Sequence, residues 1–302
     1  MSGNADEKTR VGVLVDPDHA PKIEDASWRA EDAVVEVTDD VGKGLSTLLA
    51  REPEVLVVGG NDAFVGRLLA TYEFGRDLKR HALRLHPADV GGAATLAREL
   101  GAAELSPKLV RRFVKATRSG RLQRRCVSTL KAVVSSEASA RLGFSFGAGL
   151  FYRLFEAFKR ARTETSARVT GTLLGLAKDT LLEGGRNLEP VKAKISCDGE
   201  PLAEEVGYLV CSSLSKTWLG LSMNTGEQGA AYRIGDRGRQ LIKKVASSRA
   251  LPSFVRSDEA VGFERMDIDW SSGFVLDGEL IEPRGAHALR VEPGPTVECV
   301  EL

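Results

Sequence analysis

At 302 residues the chain has the length for roughly two domains of about 150 residues, each able to bury its own core. Lysine plus arginine and aspartate plus glutamate both number 42, so no overall field draws the protein to nucleic acid or an anionic membrane; any such affinity must be local. The cysteines Cys126, Cys197, Cys211 and Cys299 lack metal-ligand spacing, which argues against a zinc site or a disulfide framework and fits a reducing compartment.

The polar, charged residues 1–10 read as a disordered leader without the apolar core of a signal peptide. No apolar run approaches the roughly 20 residues that span a bilayer, so a cytoplasmic protein is expected. Val11-Gly12-Val13-Leu14-Val15 is a short apolar strand, stopped by Asp16-Pro17. Residues 34–37 offer a second strand, and Val41, Leu45, Leu48 and Leu49 share one helical face over 40–51.

The stretch Val55-Leu56-Val57-Val58-Gly59-Gly60-Asn61-Asp62 then reads as a buried strand feeding a helix that carries Phe64, Leu68 and Leu69. The glycine pair permits close backbone approach, and Asn61 or Asp62 can cap the helix. Such a turn is either a plain tight turn or a place where backbone N–H groups meet a phosphate. A strand over 82–85 and a small-residue loop at Asp89-Val90-Gly91-Gly92-Ala93-Ala94 lead into a helical run over 95–101. Two strand, glycine-turn, helix units side by side predict a doubly wound α/β domain over 11–122, with its ligand in the crevice beyond the strand ends.

Residues 108–125 turn basic, with Arg111, Arg112, Lys115, Arg118, Arg121, Arg124 and Arg125 set against Leu109, Val110, Phe113 and Val114. This is an amphipathic helix with a solvated cationic face, and no nucleic-acid binding is expected of it. From 123 to 302 the texture becomes β-rich, sandwich-like, with the last residues free to return to the first domain. Within it Gly143, Gly147 and Gly149 precede a helix carrying Phe151, Tyr152, Phe155 and Phe158. That stripe is expected in the core, a peripheral lipid contact being the other reading. A second helix falls over 169–182, and 241–246 has helical or strand character. The tripeptide Asp-Gly-Glu occurs at 198–200 and at 277–279, each time between strand-like segments, as a tight turn requires. His19, His81, His86 and His287 show no metal or triad spacing and default to surface or loop positions.

In their order these landmarks resemble the diacylglycerol kinase and sphingosine kinase family of lipid kinases, especially its soluble bacterial members. The family's Gly-Gly-Asp-Gly-Thr turn is similar to Gly59-Gly60-Asn61-Asp62-Ala63, and its second loop, Gly-Thr-Gly-Asn-Asp-Leu-Ala-Arg-x-Leu-Gly, to residues 91–101. The glycine-aromatic segment at 142–151, the first Asp-Gly-Glu with its flanking strands and the late Asp277-Gly278-Glu279 follow in the family's order.

The resemblance implies an α/β domain of the lipid-kinase and NAD-kinase type followed by a β-sandwich, with ATP and Mg²⁺ transferring phosphate to a lipid alcohol. It further implies Glu279 as the general base, Asp277 aiming it or holding magnesium, and Gly59, Gly60, Asn61, Asp62, Gly91 and Gly92 at the nucleotide. The departures fall at the chemistry. Asn61 replaces an aspartate, Gly66 a glutamate, Ala94-Thr95 an Asn-Asp pair, and Asp16-Pro17 an Asn-Pro. An amide is a poor substitute for a carboxylate as a hard-cation ligand or base, and whether Asp62 or Asp89 compensates stays open. Two readings therefore stand: a lipid kinase, or a catalytically degenerate lipid- or nucleotide-binding protein of the same fold. A dinucleotide-dependent oxidoreductase lacks its Gly-x-Gly-x-x-Gly fingerprint after the first strand.

Overall fold

The structure, a computed structural model, describes residues 10–19, 33–75, 83–90, 94–137, 139–160, 190–217, 223, 225, 229–235, 260–270, 272–282 and 287–302. The chain divides into two compact units, Met1–Val127 with Thr296–Leu302, and Ser128–Pro295.

The first unit runs β1 (Val11–Val15), β2 (Ala33–Val37), α1 (Val41–Leu49), β3 (Val55–Gly59), α2 (Asp62–Phe74), β4 (Leu85–Ala88), α3 (Thr95–Glu99) and α4 (Pro107–Arg118). β1 pairs in parallel with β2 and β3, and β3 pairs in parallel with β4. Every residue of β1 and β3 is buried, as a parallel strand covered on both faces demands. Alternation assigns the faces: Val11, Val13 and Val15 share a core with Leu109, Val110 and Phe113 of α4. On the other face, a side chain at Gly44 of α1 would stand 2.7 Å from Leu14 Cδ1, so α1 lies against Leu14.

Helix α4 forms where the sequence signals converge. Ser106 accepts a hydrogen bond from the Leu109 N–H at 3.3 Å, and Pro107 occupies the first turn, where its missing N–H costs nothing. Each large apolar side chain it buries contributes about 1.5–3 kcal/mol.

Strand β4 begins three residues later than the sequence suggests and runs through His86 and Pro87. Proline lacks an N–H and reads as a strand breaker, yet here it sits opposite Val58 in the ladder. His86 is correspondingly a buried strand residue and not a surface one.

The second unit continues with β5 (Gln123–Val134), which begins in the first, then β6 (Arg141–Gly143), β7 (Ser145–Gly149) and α5 (Leu150–Arg160). It goes on through β8 (Val191–Cys197), β9 (Glu200–Val206), β10 (Tyr208–Ser212), β11 (Ala231–Gly235) and β12 (Val261–Gly262). Last come β13 (Met266–Trp270), β14 (Phe274–Leu276), β15 (Glu279–Ile281) and β16 (His287–Glu301), whose final residues return to the first unit, where Cys299 stands opposite Leu85.

Two antiparallel layers make this unit. One pairs β13 with β16 and β8, and β8 with β9. The other has the order β12-β11-β10-β7-β14-β15. Inward-facing residues of both layers, among them Ile195, Ile268 and Trp270 of one and Phe146, Leu209 and Phe274 of the other, form a single core.

In α5, Leu150, Phe151 and Leu154 are buried, and Phe151 meets Tyr208 edge-on at 6.1 Å. Of the aromatic stripe Phe151 packs in the core, while Tyr152 and Phe155 are half-buried; the Phe158 side chain lies outside the described residues, as do 169–182 and 241–246. Among the described residues no helix is long and apolar enough to cross a membrane.

Candidate functional site

In the first unit the glycine turn after β3 is closely packed. Gly59 and Gly60 are buried. A side chain at Gly59 would lie 2.3 Å from Leu105 Cδ2, and one at Gly60 would lie 2.5 Å from the Phe64 ring. The small residues are thus filled against by Leu105 and Phe64. The Gly59 carbonyl accepts from the Asp16 N–H at 2.9 Å, which ties the end of β3 to the end of β1.

Asn61 caps α2: its side-chain oxygen accepts from the Phe64 N–H at 2.9 Å. At this position the amide is a sound cap, so the substitution that weakens cation chemistry leaves the helix start intact.

Asp62, the next residue, is 3 % exposed and reaches another helix. Its Oδ2 accepts from the Thr95 N–H at 2.7 Å and its Oδ1 from the Leu96 N–H at 3.1 Å. The reason lies in α3. Its N-cap is Ala94, which has no polar side chain, so the free N–H groups of its first turn are met by a carboxylate supplied from α2. Burial outweighs the two amide bonds and the nearby Arg98, and pushes the Asp62 carboxyl up to about 6.

Asp16, standing where the family has asparagine, is 8 % exposed; its Oδ1 accepts from the Asp18 N–H at 3.1 Å, and Oδ2 lies 3.9 Å from Arg67. Arg67 in turn sits 5.8 Å above the Phe64 ring. Arg67 had no place in the sequence reading, although its position one turn into α2 puts it beside the β1 loop. Asp89 joins Glu104 in an isolated bridge and exchanges backbone bonds with Ala103 and Leu105. Gly91 and Gly92 lie outside the described residues.

In the second unit both Asp-Gly-Glu tripeptides are tight turns with positive φ at their central residues: 51° and 88° at Asp198 and Gly199, 52° and 88° at Asp277 and Gly278. This is the backbone that joins antiparallel strands with the right twist, and aspartate and glycine tolerate it. The two aspartates also do the same work. Asp198 Oδ1 accepts from the N–H groups of Glu264 and Arg265 at 3.0 and 2.7 Å. Asp277 is 2 % exposed. Its Oδ1 accepts from the Phe144 and Ser145 N–H groups at 3.0 and 2.8 Å, and its Oδ2 from Phe144 at 2.9 Å.

Its own N–H donates to the Ser145 carbonyl at 2.8 Å. A side chain at Gly143 would stand 2.5 Å from Asp277 Oδ2, so glycine is what lets the strand approach. The glycine-aromatic segment and the late hairpin are in this way one structural piece. Glu279 opens β15, half-buried and paired across the ladder with Leu276. Tyr152 of α5 donates to Glu282 at 3.0 Å, which braces the same hairpin.

The structure thus joins Asp62 to α3 in the first unit, while Gly59, Gly60 and Asn61 pack against Leu105 and the start of α2, and it brings Asp277 together with Gly143 and Ser145 in the second. The Asp62 bond to α3 escaped the sequence because the partners are 33 residues apart. The one sequence signal for it is that α3 starts at an alanine.

The sequence matches no protein-family model and no curated protein. Its fold is similar to that of solved structures. A diacylglycerol kinase from Bacillus anthracis str. Sterne superposes with a TM-score of 0.59 at 16% identity, over 97% of each chain. Two further structures from that organism, each described as a candidate diacylglycerol kinase, give 0.61 at 17% identity and 0.60 at 14%, both over 96% of each chain. At these identities the likeness is one of fold, and it runs the length of the chain: the protein has the diacylglycerol kinase fold.

Proposed function

We propose that this chain is a catalytically degenerate protein of the lipid kinase fold, which binds a lipid alcohol of the diacylglycerol or sphingoid kind without transferring phosphate to it. The lipid half of the reading is supported by the full-length likeness to proteins described as diacylglycerol kinases. The loss of transfer rests on one observation: the Asp62 carboxylate, at 2.7 and 3.1 Å, occupies the amides of Thr95 and Leu96 at the start of the helix after the second loop. Phosphoryl transfer asks backbone donors and a metal to neutralise charge on the moving group. A buried carboxylate already on those donors opposes a phosphate there by like charge and by occupancy.

The donor set also fits magnesium poorly. Both Asp277 oxygens accept from backbone amides, and among the described residues no three His, Cys, Asp or Glu side chains gather as ligands. Hard divalent cations need several oxygen donors.

A second reading, an active ATP-dependent lipid kinase, is favoured by the late hairpin. Asp277 anchors that turn firmly and Glu279 stands half-buried at the start of β15; in this reading Glu279 would serve as the general base. The test is to follow radiolabel from ATP with Mg²⁺ onto diacylglycerol and sphingosine in mixed micelles, alongside retention of the same lipids by the protein. Retained lipid with no transfer above a Glu279→Gln control supports the degenerate reading. Transfer that Glu279→Gln abolishes overturns it in favour of the kinase, and absence of both overturns the lipid assignment.

A further inference from the structure

In the β-rich unit the sulfur atoms of Cys197, Cys211 and Met266 converge on one end of the core, from three different strands. Cys197 of β8 stands directly opposite Met266 of β13 in the antiparallel ladder. Both side chains therefore lie on one face of that layer, with Cβ atoms about 4.5–5.5 Å apart. Cys211 of β10 meets them from the other layer: its Sγ lies 3.9 Å from the Met266 Sδ, across 55 positions of sequence, which is why no spacing along the chain shows the pair. Cys211 and Met266 are fully buried, while Cys197 is only half-buried at the rim. Around the rim sulfur, Tyr232, which pairs with Cys211 across the ladder, hydrogen-bonds the Cys197 thiol, and that thiol reaches Asp198 Oδ2 at 3.8 Å.

We infer that Cys197, Cys211 and Met266 form a binding site for a single copper(I) ion. Two thiols and a thioether are soft donors, the kind that selects Cu(I) over hard cations. Sulfurs about 2.3 Å from a shared ion and 120° apart stand about 4.0 Å from one another, close to the spacing that Cys211 and Met266 already keep. Zinc fits less well: it is held by four cysteine, histidine or carboxylate ligands, and among the described residues no third side chain of those types joins the two cysteines. Binding exchanges two S–H protons, released to solvent, for bonds from Cu(I) to two thiolates and the thioether, with no change in oxidation state. The half-buried Cys197 is the point of entry, and the Tyr232 hydroxyl is placed to steady its sulfur from outside the ligand set. Packing alone accounts for the burial of Cys211 and Met266, since both residues behave as adaptable hydrophobes, but it does not call for the third sulfur at the rim. The site stands apart from the lipid reading and does not depend on it.

The test is anaerobic titration of the full chain against Cu(I) held by bicinchoninate, whose coloured complex reports each ion the protein removes, with the ligand shell read by X-ray absorption. The expected result is one ion per chain, surrounded by three sulfurs. Met266→Leu, which conserves volume and so keeps the core, lowers the affinity at least about tenfold and leaves two sulfurs around the ion. Cys197→Ser at the half-buried rim lowers it further, and Cys126→Ser with Cys299→Ala, which removes the thiols of the other unit, changes nothing. Circular dichroism confirms that each variant folds. Failure to take copper from the chelator overturns the inference and leaves the three sulfurs as core packing only. Indifference to Met266→Leu, loss of uptake in the Cys126 and Cys299 variant, or displacement of the copper by an equal concentration of Zn²⁺ overturns it as well.

Discussion

Replacing Asp62 with asparagine keeps the shape of the side chain and removes its charge. In the native protein burial raises the Asp62 carboxyl from an ordinary 3.8 to about 6, so between those values folding takes up a proton. The sign follows: a group whose folded pKa lies above its unfolded one stabilises the fold at low pH, and that contribution is lost as pH rises through the interval. At about 1.36 kcal/mol for each tenfold change in proton affinity, the loss from about pH 4 to about pH 7 is on the order of 3 kcal/mol.

Asp62→Asn cannot titrate, and its one carbonyl oxygen still accepts from an α3 amide. Urea unfolding of both proteins across that range reads the difference, with the m-value held constant as the check on two-state comparison. The stability of Asp62→Asn relative to the native chain is expected to improve by about 3 kcal/mol from the acid to the neutral end. Parallel pH profiles would refute the reasoning, because they would mean that Asp62 is solvated and not seated on Thr95 and Leu96.

Three other perturbations follow from the same geometry. Asp277→Ala strands two buried amides, those of Phe144 and Ser145, and puts alanine at a φ of 52°, for a cost of about 3–5 kcal/mol in urea unfolding; Asp277→Asn, which keeps an acceptor and tolerates the backbone, costs less. Gly59→Ala drives a methyl into Leu105 and is expected to cost about 1–3 kcal/mol, read as a lower melting temperature without loss of secondary structure. His86, 3 % exposed against Phe113, donates through Nδ1 to the Val300 carbonyl at 2.8 Å, while its Nε2 has no partner among the described residues. Burial, with Arg112 beside it, holds its pKa below the ordinary 6.5, so its contribution to stability is lost as pH falls through that value, and His86→Gln flattens the acid side of the profile.

Much of the architecture is local and was therefore legible in the sequence. Val11–Val15 and Val55–Gly59 are continuous apolar runs of the kind only a doubly covered parallel strand uses, and both form it. The two Asp-Gly turns follow from backbone preference alone and appear at 198 and 277 with the same dihedrals. What the sequence hid is the partner of each polar group. Asp277 reads as an acid near a general base, yet its carboxylate serves amides 133 and 132 positions away. Asp62 reads as a possible stand-in for a lost carboxylate, and only the alanine start of α3 shows why it turns inward. Pro87 hides half of β4 by its chemistry, because the rule against proline in a ladder concerns an N–H that this position does without.

Calorimetric titration of the full chain with ATP and Mg²⁺ bears most directly on the claim that Asp62 closes the phosphate nook. The account predicts no saturable binding up to about 1 mM, a dissociation constant at which binding is worth only about −4.1 kcal/mol. Saturation in the micromolar range would contradict it.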